Sequence, residues 1–465
     1  MKSSTVIFLL IAFTCFPFVL PAQNSIAPSL NELIDKALLK DHTLANKKLD
    51  IESSNLELKQ LREVYLPTAD ISGKYAYLAN SAEFGVPASS FLLNGTAINL
   101  PDITAGFNSR ANLFKTDLSV SALLFTGGKV PALKQALKEK TKAQTALLEA
   151  DRQQIITDVS KAYDQLALLK QVKIVLDESQ DRLDLNVKTA DKALGYGLIT
   201  KYEHQKIEVA KAQLSSRKLE YEGKKNLILH QLEMYTGIEI ERLAAIDNEL
   251  LSFNLVDAGQ SVQNRPEIKA LNFSISAYEY KVKAAQTWWI PKIQAATSLG
   301  YLNVFNTKLT GKEALPIVGT SNLRADKFEI APNFSIGVGF KWDIFNGFKG
   351  ERDVQHARID VRKAENEKLE AVEKLNLLLL KTQTDFNNAI AEVQVKEKEK
   401  QIAGNALEQA GKEFKLGLIK AADLIGAETD YQNAALQKLQ AVFNQRQAAL
   451  ELLKATGFLT EDSIR

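Results

Sequence analysis

The sequence has almost no cysteine, few prolines and no clear excess of either charge. Its 465 residues include 11 prolines and a single cysteine, Cys15, which lies in an apolar N-terminal segment. The rest of the chain therefore has no disulfide and no thiolate metal ligand. Lys and Arg total 58 against 56 Asp and Glu. This balance indicates no basic surface for nucleic acid, and we expect no nucleic-acid partner.

Histidine is also scarce, and no catalytic motif occurs. None of the four histidines has a second histidine four residues away. There is no phosphate-binding loop and no Gly-x-Ser-x-Gly nucleophile motif. An enzyme requires positioned nucleophiles, acids or metal ligands. We therefore expect no enzymatic activity, no cofactor and no metal site.

Long apolar runs are confined to the N-terminus. Lys2, the apolar run Thr5–Leu20 and the small-residue site ending at Ala22 predict a signal peptide over residues 1–22. A membrane anchor is the alternative, but the run is shorter than the roughly 20 residues that a spanning helix needs. No later apolar run of that length occurs. Two classes of protein therefore remain as alternatives, a periplasmic protein and a barrel in the outer membrane.

The remaining chain contains one pattern twice, at an offset of 220 residues. Chance matches would not keep one offset in one order, so the pattern predicts a tandem repeat. We assign repeat 1 to residues 23–237, an equatorial connection to 238–259, repeat 2 to 260–457 and a C-terminal tail to 458–465. The matched motifs are Phe125-Thr126-Gly127-Gly128 with Phe345-Asn346-Gly347-Phe348, Gly197-Leu198-Ile199 with Gly417-Leu418-Ile419, and Thr236-Gly237 with Thr456-Gly457.

Each predicted repeat contains two alternating strands joined by a polar segment. The clearest apolar positions are Phe334, Ile336, Val338 and Phe340. Runs of about 10 residues with one apolar face suit a transmembrane barrel, although a soluble sandwich shows the same alternation. The polar segments 78–112 and 304–331 predict extracellular loops. Four strands cannot close a barrel around a pore, so several chains must share one if these strands span the membrane.

A heptad seam runs along the predicted long helices. Apolar residues step by four and three from Ile155, and the same frame starts again at Leu375. This spacing predicts supercoiled helices, and residues 129–193 alone would make a helix of about 97 Å. The fold class is therefore mainly α with a small β part. A periplasmic structural or adhesive coiled-coil protein without a pore is the alternative to a channel.

Three further motifs accompany the glycine motifs, and they are Asn264-Arg265-Pro266-Glu267-Ile268, Tyr65-Leu66-Pro67 and Trp289-Ile290-Pro291. Taken together, these features resemble the TolC-like outer-membrane efflux protein family. The resemblance implies a homotrimer in outer-membrane lipid, with a shared barrel of twelve strands and a coiled-coil tunnel in the periplasm. It also implies a passive exit duct of a tripartite efflux pump or type I secretion system, whose partners are a periplasmic adaptor and an inner-membrane pump.

The resemblance also implies roles for particular residues. Asp423, Glu203 and Phe414 would form the gate, where three Asp423 carboxylates would make a ring that favours cations. The alternative is that Asp423 is a carboxylate at a helix start, near the positive helix end. Ile419 and Gly426 stand where some members have a gate-locking Arg and a second pore Asp, which argues against a salt-bridged latch. The predicted adaptor-docking tip consists of Gly197, Leu198, Ile199, Gly417, Leu418 and Ile419.

Overall fold

The computed structural model describes residues 27–253, 261–312 and 322–464, so the predicted signal peptide lies outside the described residues. The α-helices in this part of the chain are α1 (Leu30–Lys40), α2 (His42–Glu63), α3 (Lys129–Gly195), α4 (Lys201–Thr236), α5 (Ile240–Ala244), α6 (Pro266–Gln286), α7 (Lys349–Lys415) and α8 (Ala421–Thr456). The strands are β1 (Thr68–Val86), β2 (Ser89–Leu93), β3 (Thr96–Leu100), β4 (Ile103–Phe125), β5 (Lys292–Gly311) and β6 (Asn322–Lys341).

Internal contacts divide the chain into two compact units. Unit 1 takes Met1–Lys47, Leu148–Pro266 and Val372–Arg465, and unit 2 takes Lys48–Leu147 and Glu267–Ala371. Each unit therefore draws segments from both predicted repeats. The repeat boundaries at 23–237 and 260–457 stay a prediction.

The long helices occur in two pairs of equal length. Both α3 and α7 have 67 residues, and both α4 and α8 have 36, with each second helix starting 220 residues after the first. At 1.5 Å per residue, a 67-residue helix is about 100 Å long. None of the described helices combines the length and the apolar character that crossing a membrane requires.

The core of unit 1 follows the predicted heptad seam. Buried apolar residues recur every seven positions on α3 and again on α4, as two supercoiled helices require. An ion pair ties each hairpin together at matching places, Lys218 to Asp177 at 3.0 Å and Lys438 to Glu397 at 2.8 Å. The seven-residue series are Leu169, Leu176, Leu183 and Ala190 on α3, and Ile207, Leu214, Tyr221 and Ile228 on α4.

Unit 2 contains an antiparallel sheet with strand order β1-β4-β5-β6. The four strands have between 19 and 23 residues, about twice the length that the alternation predicted. The apolar positions Ile336, Val338 and Phe340 of β6 are all exposed on this sheet. Among the described residues the four predicted strands are therefore present.

The predicted loops 78–112 and 304–331 are wrong over most of their length. β1 pairs with β4 without interruption from Thr68 opposite Ser121 to Val86 opposite Ile103, so most of the polar residues lie in paired strands. Between these strands the chain forms the hairpin of β2 and β3, which the sequence interpretation missed. Asn94 and Gly95 form its turn with φ angles of 50° and 79°, the left-handed backbone that two-residue hairpins need. The segment 313–321 lies outside the described residues.

Candidate functional site

The two hairpin turns of unit 1 have the same backbone geometry. In the first turn, Leu198 N–H donates to the Ala193 carbonyl at 2.8 Å, and Gly197 N–H donates to the Leu194 carbonyl at 3.0 Å. This pair of bonds satisfies the last carbonyls of α3 and requires a left-handed residue, which is Gly197 with φ 73°. The second turn repeats the pattern after α7, with Gly417 at φ 74°. Both turns are therefore fixed by their glycine.

Two predicted gate carboxylates cap the helices that follow the turns. Glu203 accepts from Thr200 N–H at 2.9 Å, while Thr200 Oγ1 accepts from Glu203 N–H at 3.2 Å. Asp423 accepts from Lys420 N–H at 3.1 Å, at the start of α8. A carboxylate is favoured in the first turn of a helix by its free N–H groups and its dipole. In the single chain, Asp423 therefore has the contacts of a carboxylate at a helix start, which is the alternative to its role in the gate. Its carboxylate is exposed to solvent.

The apolar residues at the turns divide into an inner and an outer set. Ile199 and Phe414 are partly buried and pack against the unit 1 core. Leu198 and Leu418 are 76% and 70% exposed. In the single chain, Phe414 therefore packs the end of α7 against the core, while the two leucines extend into solvent.

A partly buried ion pair that the sequence interpretation missed connects α3 to α8. Arg182 Nε donates to Glu428 Oε2 at 2.9 Å and Arg182 Nη2 donates to Glu428 Oε1 at 3.1 Å. The Tyr431 ring lies 5.2 Å from the guanidinium carbon of Arg182. Burial lowers the pKa of Arg182, but the hydrogen bonds and charge of Glu428 outweigh it, so the pKa is raised above its ordinary value. No local pattern signals this pair, because its members lie on different hairpins.

A second polar contact lies closer to the first turn. His204 Nε2 of α4 lies 2.6 Å from Asp191 Oδ1 of α3, and His204 Nδ1 lies 3.9 Å from Glu208 Oε1. The imidazole thus links the two helices just behind the turn. In the described part of the chain, no group of three histidine, cysteine or acidic side chains is placed to hold a metal ion.

One exposed face of α8 is entirely polar. Five exposed residues recur at intervals of seven, and none of them is apolar or basic. A stripe at this spacing stays on one side of a supercoiled helix. We call it the α8 polar stripe, and its members are Asp423, Asp430, Gln437, Asn444 and Glu451.

Comparison with known proteins accounts for nearly the whole chain. The profile of the outer membrane efflux protein family matches residues 33–237 and 258–458. The chain belongs to this family. A relative, "Outer membrane efflux protein BepC" of Brucella suis biovar 1 (strain 1330), is 20% identical over 452 residues, which cover 96% of this chain and 89% of the relative.

Solved structures share the fold of this outer membrane efflux protein. The CmeC outer membrane channel of Campylobacter jejuni matches with a TM-score of 0.67 and 17% identity, over 92% of this chain and 85% of CmeC. The outer membrane protein VceC of Vibrio cholerae matches with a TM-score of 0.66 and 19% identity, over 92% of this chain and 97% of VceC. The predicted fold class, mainly α with a small β part, is confirmed.

As an outer membrane efflux protein, the chain is a transport channel of the outer membrane with a periplasmic extension. The predicted family and location are thereby confirmed. The turns and the capping carboxylates lie where the sequence predicted them, and the structure brings Phe414 to the core beside them. Their roles in docking and gating stay predictions.

Proposed function

We propose that this channel is a homotrimer that forms the exit duct of a tripartite efflux pump or a type I secretion system. Four sheet strands per chain are too few to enclose a pore, and open edges would leave backbone groups unpaired in lipid. Three copies would supply twelve strands, a number that makes a closed barrel with an open lumen.

The α8 polar stripe is the observation that best supports a water-filled conduit. It runs from Asp423 to Glu451, about 42 Å along the helix, with only carboxylate and amide side chains. Such a surface suits a water-filled lumen, because its polar groups keep water as a hydrogen-bond partner. Copies arranged with these stripes facing one another would line a continuous polar path through the helical part.

The exposed turn residues support docking of a periplasmic adaptor. Leu198 and Leu418 present two apolar side chains on turns of the same geometry. The neighbouring Ile199 and Ile419 are only partly exposed, so the turns offer apolar contacts on a rigid base. Exposed apolar residues on a defined surface mark sites of protein contact. An adaptor with apolar pockets would fit both turns, and it would connect the duct to an inner-membrane pump that supplies energy.

The same end of the hairpins would hold the gate. The Asp423 carboxylate is exposed and held in place by Lys420 N–H. Three copies around a narrow entrance would form an acidic ring that favours cations. Glu203, half-buried in its capping box, would add charge at the next helix, and Phe414 would support the turn from within.

Conductance of the purified oligomer tests the proposal. The protein should be recovered from the outer-membrane fraction as a trimer and should give discrete conductance steps in planar lipid bilayers, while matched detergent without protein gives none. A trimer from that fraction that never conducts would overturn the conduit. Recovery in the soluble periplasmic fraction would instead favour the structural coiled-coil alternative.

A further inference from the structure

Unit 2 contains a cavity of about 610 Å³ between α2, α3 and α6. One turn further along α3 the three helices are in contact. Ser54 Oγ of α2 donates to Gln144 Oε1 of α3 at 2.9 Å, and Lys142 Nζ of α3 lies 5.5 Å from the centre of the Phe273 ring of α6. Sites for small organic ligands have volumes of roughly 300–1,000 Å³ and often lie between helices. The cavity is therefore large enough for a drug-sized molecule.

Apolar side chains from all three helices line most of this cavity. Those of α2 and α3 are partly exposed, so their apolar surface faces the open space. Contact with an apolar ligand would remove that surface from water, which is favourable. Tyr278 of α6 adds an aromatic ring to the wall. The apolar lining residues are Leu61, Val64, Leu133, Ala136, Leu137 and Ala277.

Among the described residues, three charged side chains line the cavity, and two of them neutralise each other. Lys140 Nζ of α3 lies 3.5 Å from Glu57 Oε2 of α2. Lys281 of α6 has no carboxylate within ion-pair distance in the described part of the chain, and its ammonium lies 4.7 Å from the centre of the Tyr278 ring. The cavity thus combines an apolar wall, an aromatic ring and one unbalanced positive charge.

We propose that this cavity binds an amphipathic organic anion of drug size, with its acidic group at Lys281 and its apolar body against α3. An organic cation is disfavoured, because the unbalanced charge at the cavity is positive. A small inorganic anion would leave the apolar wall in contact with water. The site is formed by residues of one copy, so the inference goes beyond the proposed duct and does not rest on it.

Two dyes with the same ring system separate the roles of charge and apolar contact. The anionic probe is 1-anilinonaphthalene-8-sulfonate, and the uncharged probe is N-phenyl-1-naphthylamine, which lacks the sulfonate. Ser274 lines the cavity, so Ser274→Cys serves as a reporter in full-length protein with Cys15→Ser, reconstituted in lipid nanodiscs. The rate of alkylation by neutral iodoacetamide is measured by mass spectrometry. We expect both dyes to slow alkylation of this reporter at least about threefold at saturation.

A second reporter position distinguishes the cavity from the rest of the surface. Glu279→Cys replaces Ser274→Cys in the matched control, because Glu279 is exposed on α6 and does not line the cavity. The dyes should leave the alkylation rate at position 279 unchanged.

Two lysine variants in the Ser274→Cys background test the positive charge. In Lys281→Gln, the sulfonate concentration that halves the alkylation rate should rise about threefold, as the loss of one exposed ion pair predicts. The value for the uncharged dye should not change. Lys283→Gln is the matched control, because Lys283 Nζ lies 4.5 Å from the centre of the Tyr280 ring, in the same arrangement but outside the cavity. It should change neither value.

Three results would overturn the proposal. Equal protection at positions 274 and 279 would show unspecific adsorption of the dyes. A reporter at position 274 that iodoacetamide cannot reach in the absence of dye would show that the cavity is closed in the assembled protein. Equal effects of Lys281→Gln and Lys283→Gln would contradict recognition of an anion at Lys281. Conductance of the trimer is a separate measurement, so the proposed duct can hold or fail independently of this site.

Discussion

Arg182 and Glu428 form a two-point ion pair across helices that are far apart in the chain. Their side chains are 31% and 10% exposed, and Ser179 Oγ accepts a further bond from Arg182 at 3.1 Å. A planar guanidinium and a carboxylate in this geometry restrict both distance and orientation. The pair therefore fixes the register of α3 against α8.

Removing one member of this pair should destabilise the helical part. Glu428→Gln leaves the half-buried Arg182 charge with only the exposed Glu178, at 3.6 Å, as a counterion, so we expect a loss of about 2 kcal/mol in the free energy of unfolding. The denaturant midpoint of the purified oligomer measures it. Replacing both residues by leucine should recover most of the loss. An equal loss in Asp181→Asn, where the carboxylate is exposed on α3, would argue against a specific role for the pair of Arg182 and Glu428.

Neutralising Asp423 should change ion selectivity without disrupting its helix. Asp423→Asn keeps an oxygen that can accept from Lys420 N–H but removes the charge. If three copies line the entrance, the ratio of cation to anion permeability should fall, and block by multivalent cations should weaken. Reversal potentials in salt gradients measure the ratio. The exposed Asp35→Asn on α1 is the control, and equal selectivity in both variants would place Asp423 away from the constriction.

Charged residues at the turns should prevent adaptor binding. The double variant Leu198→Asp and Leu418→Asp removes both exposed apolar side chains at the turns and adds charges that an apolar pocket would have to desolvate. We expect at least about tenfold weaker adaptor binding in pull-down, since each buried leucine is worth about 2 kcal/mol. Conductance should remain. Leu39→Asp, equally exposed on α1, serves as control, and unchanged binding in the double variant would exclude the turns as the docking site.

Alanine at the turn glycines should loosen both turns. Gly197 and Gly417 have φ near +73° with no atom close to a new Cβ, so the cost is conformational, about 1 kcal/mol. Hydrogen exchange of the Leu198 and Leu418 amides should accelerate about fivefold. Gly195→Ala, within α3 and two residues away, should not accelerate exchange. Equal effects at all three positions would contradict the conformational explanation.

The sequence predicted the helices well because two independent signals agreed. The heptad seam indicates long supercoiled helices, and the glycine turns indicate where they end. The expected helix 129–193 therefore differs from α3 by only two residues. The predicted strands are too short because polar residues are ordinarily loop signals, whereas strands with two exposed faces accept them. The turn residues Asn94 and Gly95 were the available signal for the missed hairpin.

The candidate site was predictable only in its local parts. Turn glycines and capping carboxylates act over a few residues, so their positions follow from the sequence. The pair of Arg182 and Glu428 depends on which faces of two hairpins meet, and 246 residues separate its members. In the other half of the chain Ile402 stands at the place of Arg182 and Glu208 at the place of Glu428. Only the packing shows that Arg182 and Glu428 meet.

The length of the sheet strands determines how far the proposed barrel would project beyond the membrane. In the proposed barrel, about ten tilted residues of each strand would cross the hydrocarbon, so strands of 19 to 23 residues would have about as many again beyond it. The hairpin of β2 and β3 connects the ends of β1 and β4 that lie away from α2 and α3 along the chain, and in that barrel it would face the cell exterior. Antibodies and phages that reach the channel from outside would then meet this projecting rim first.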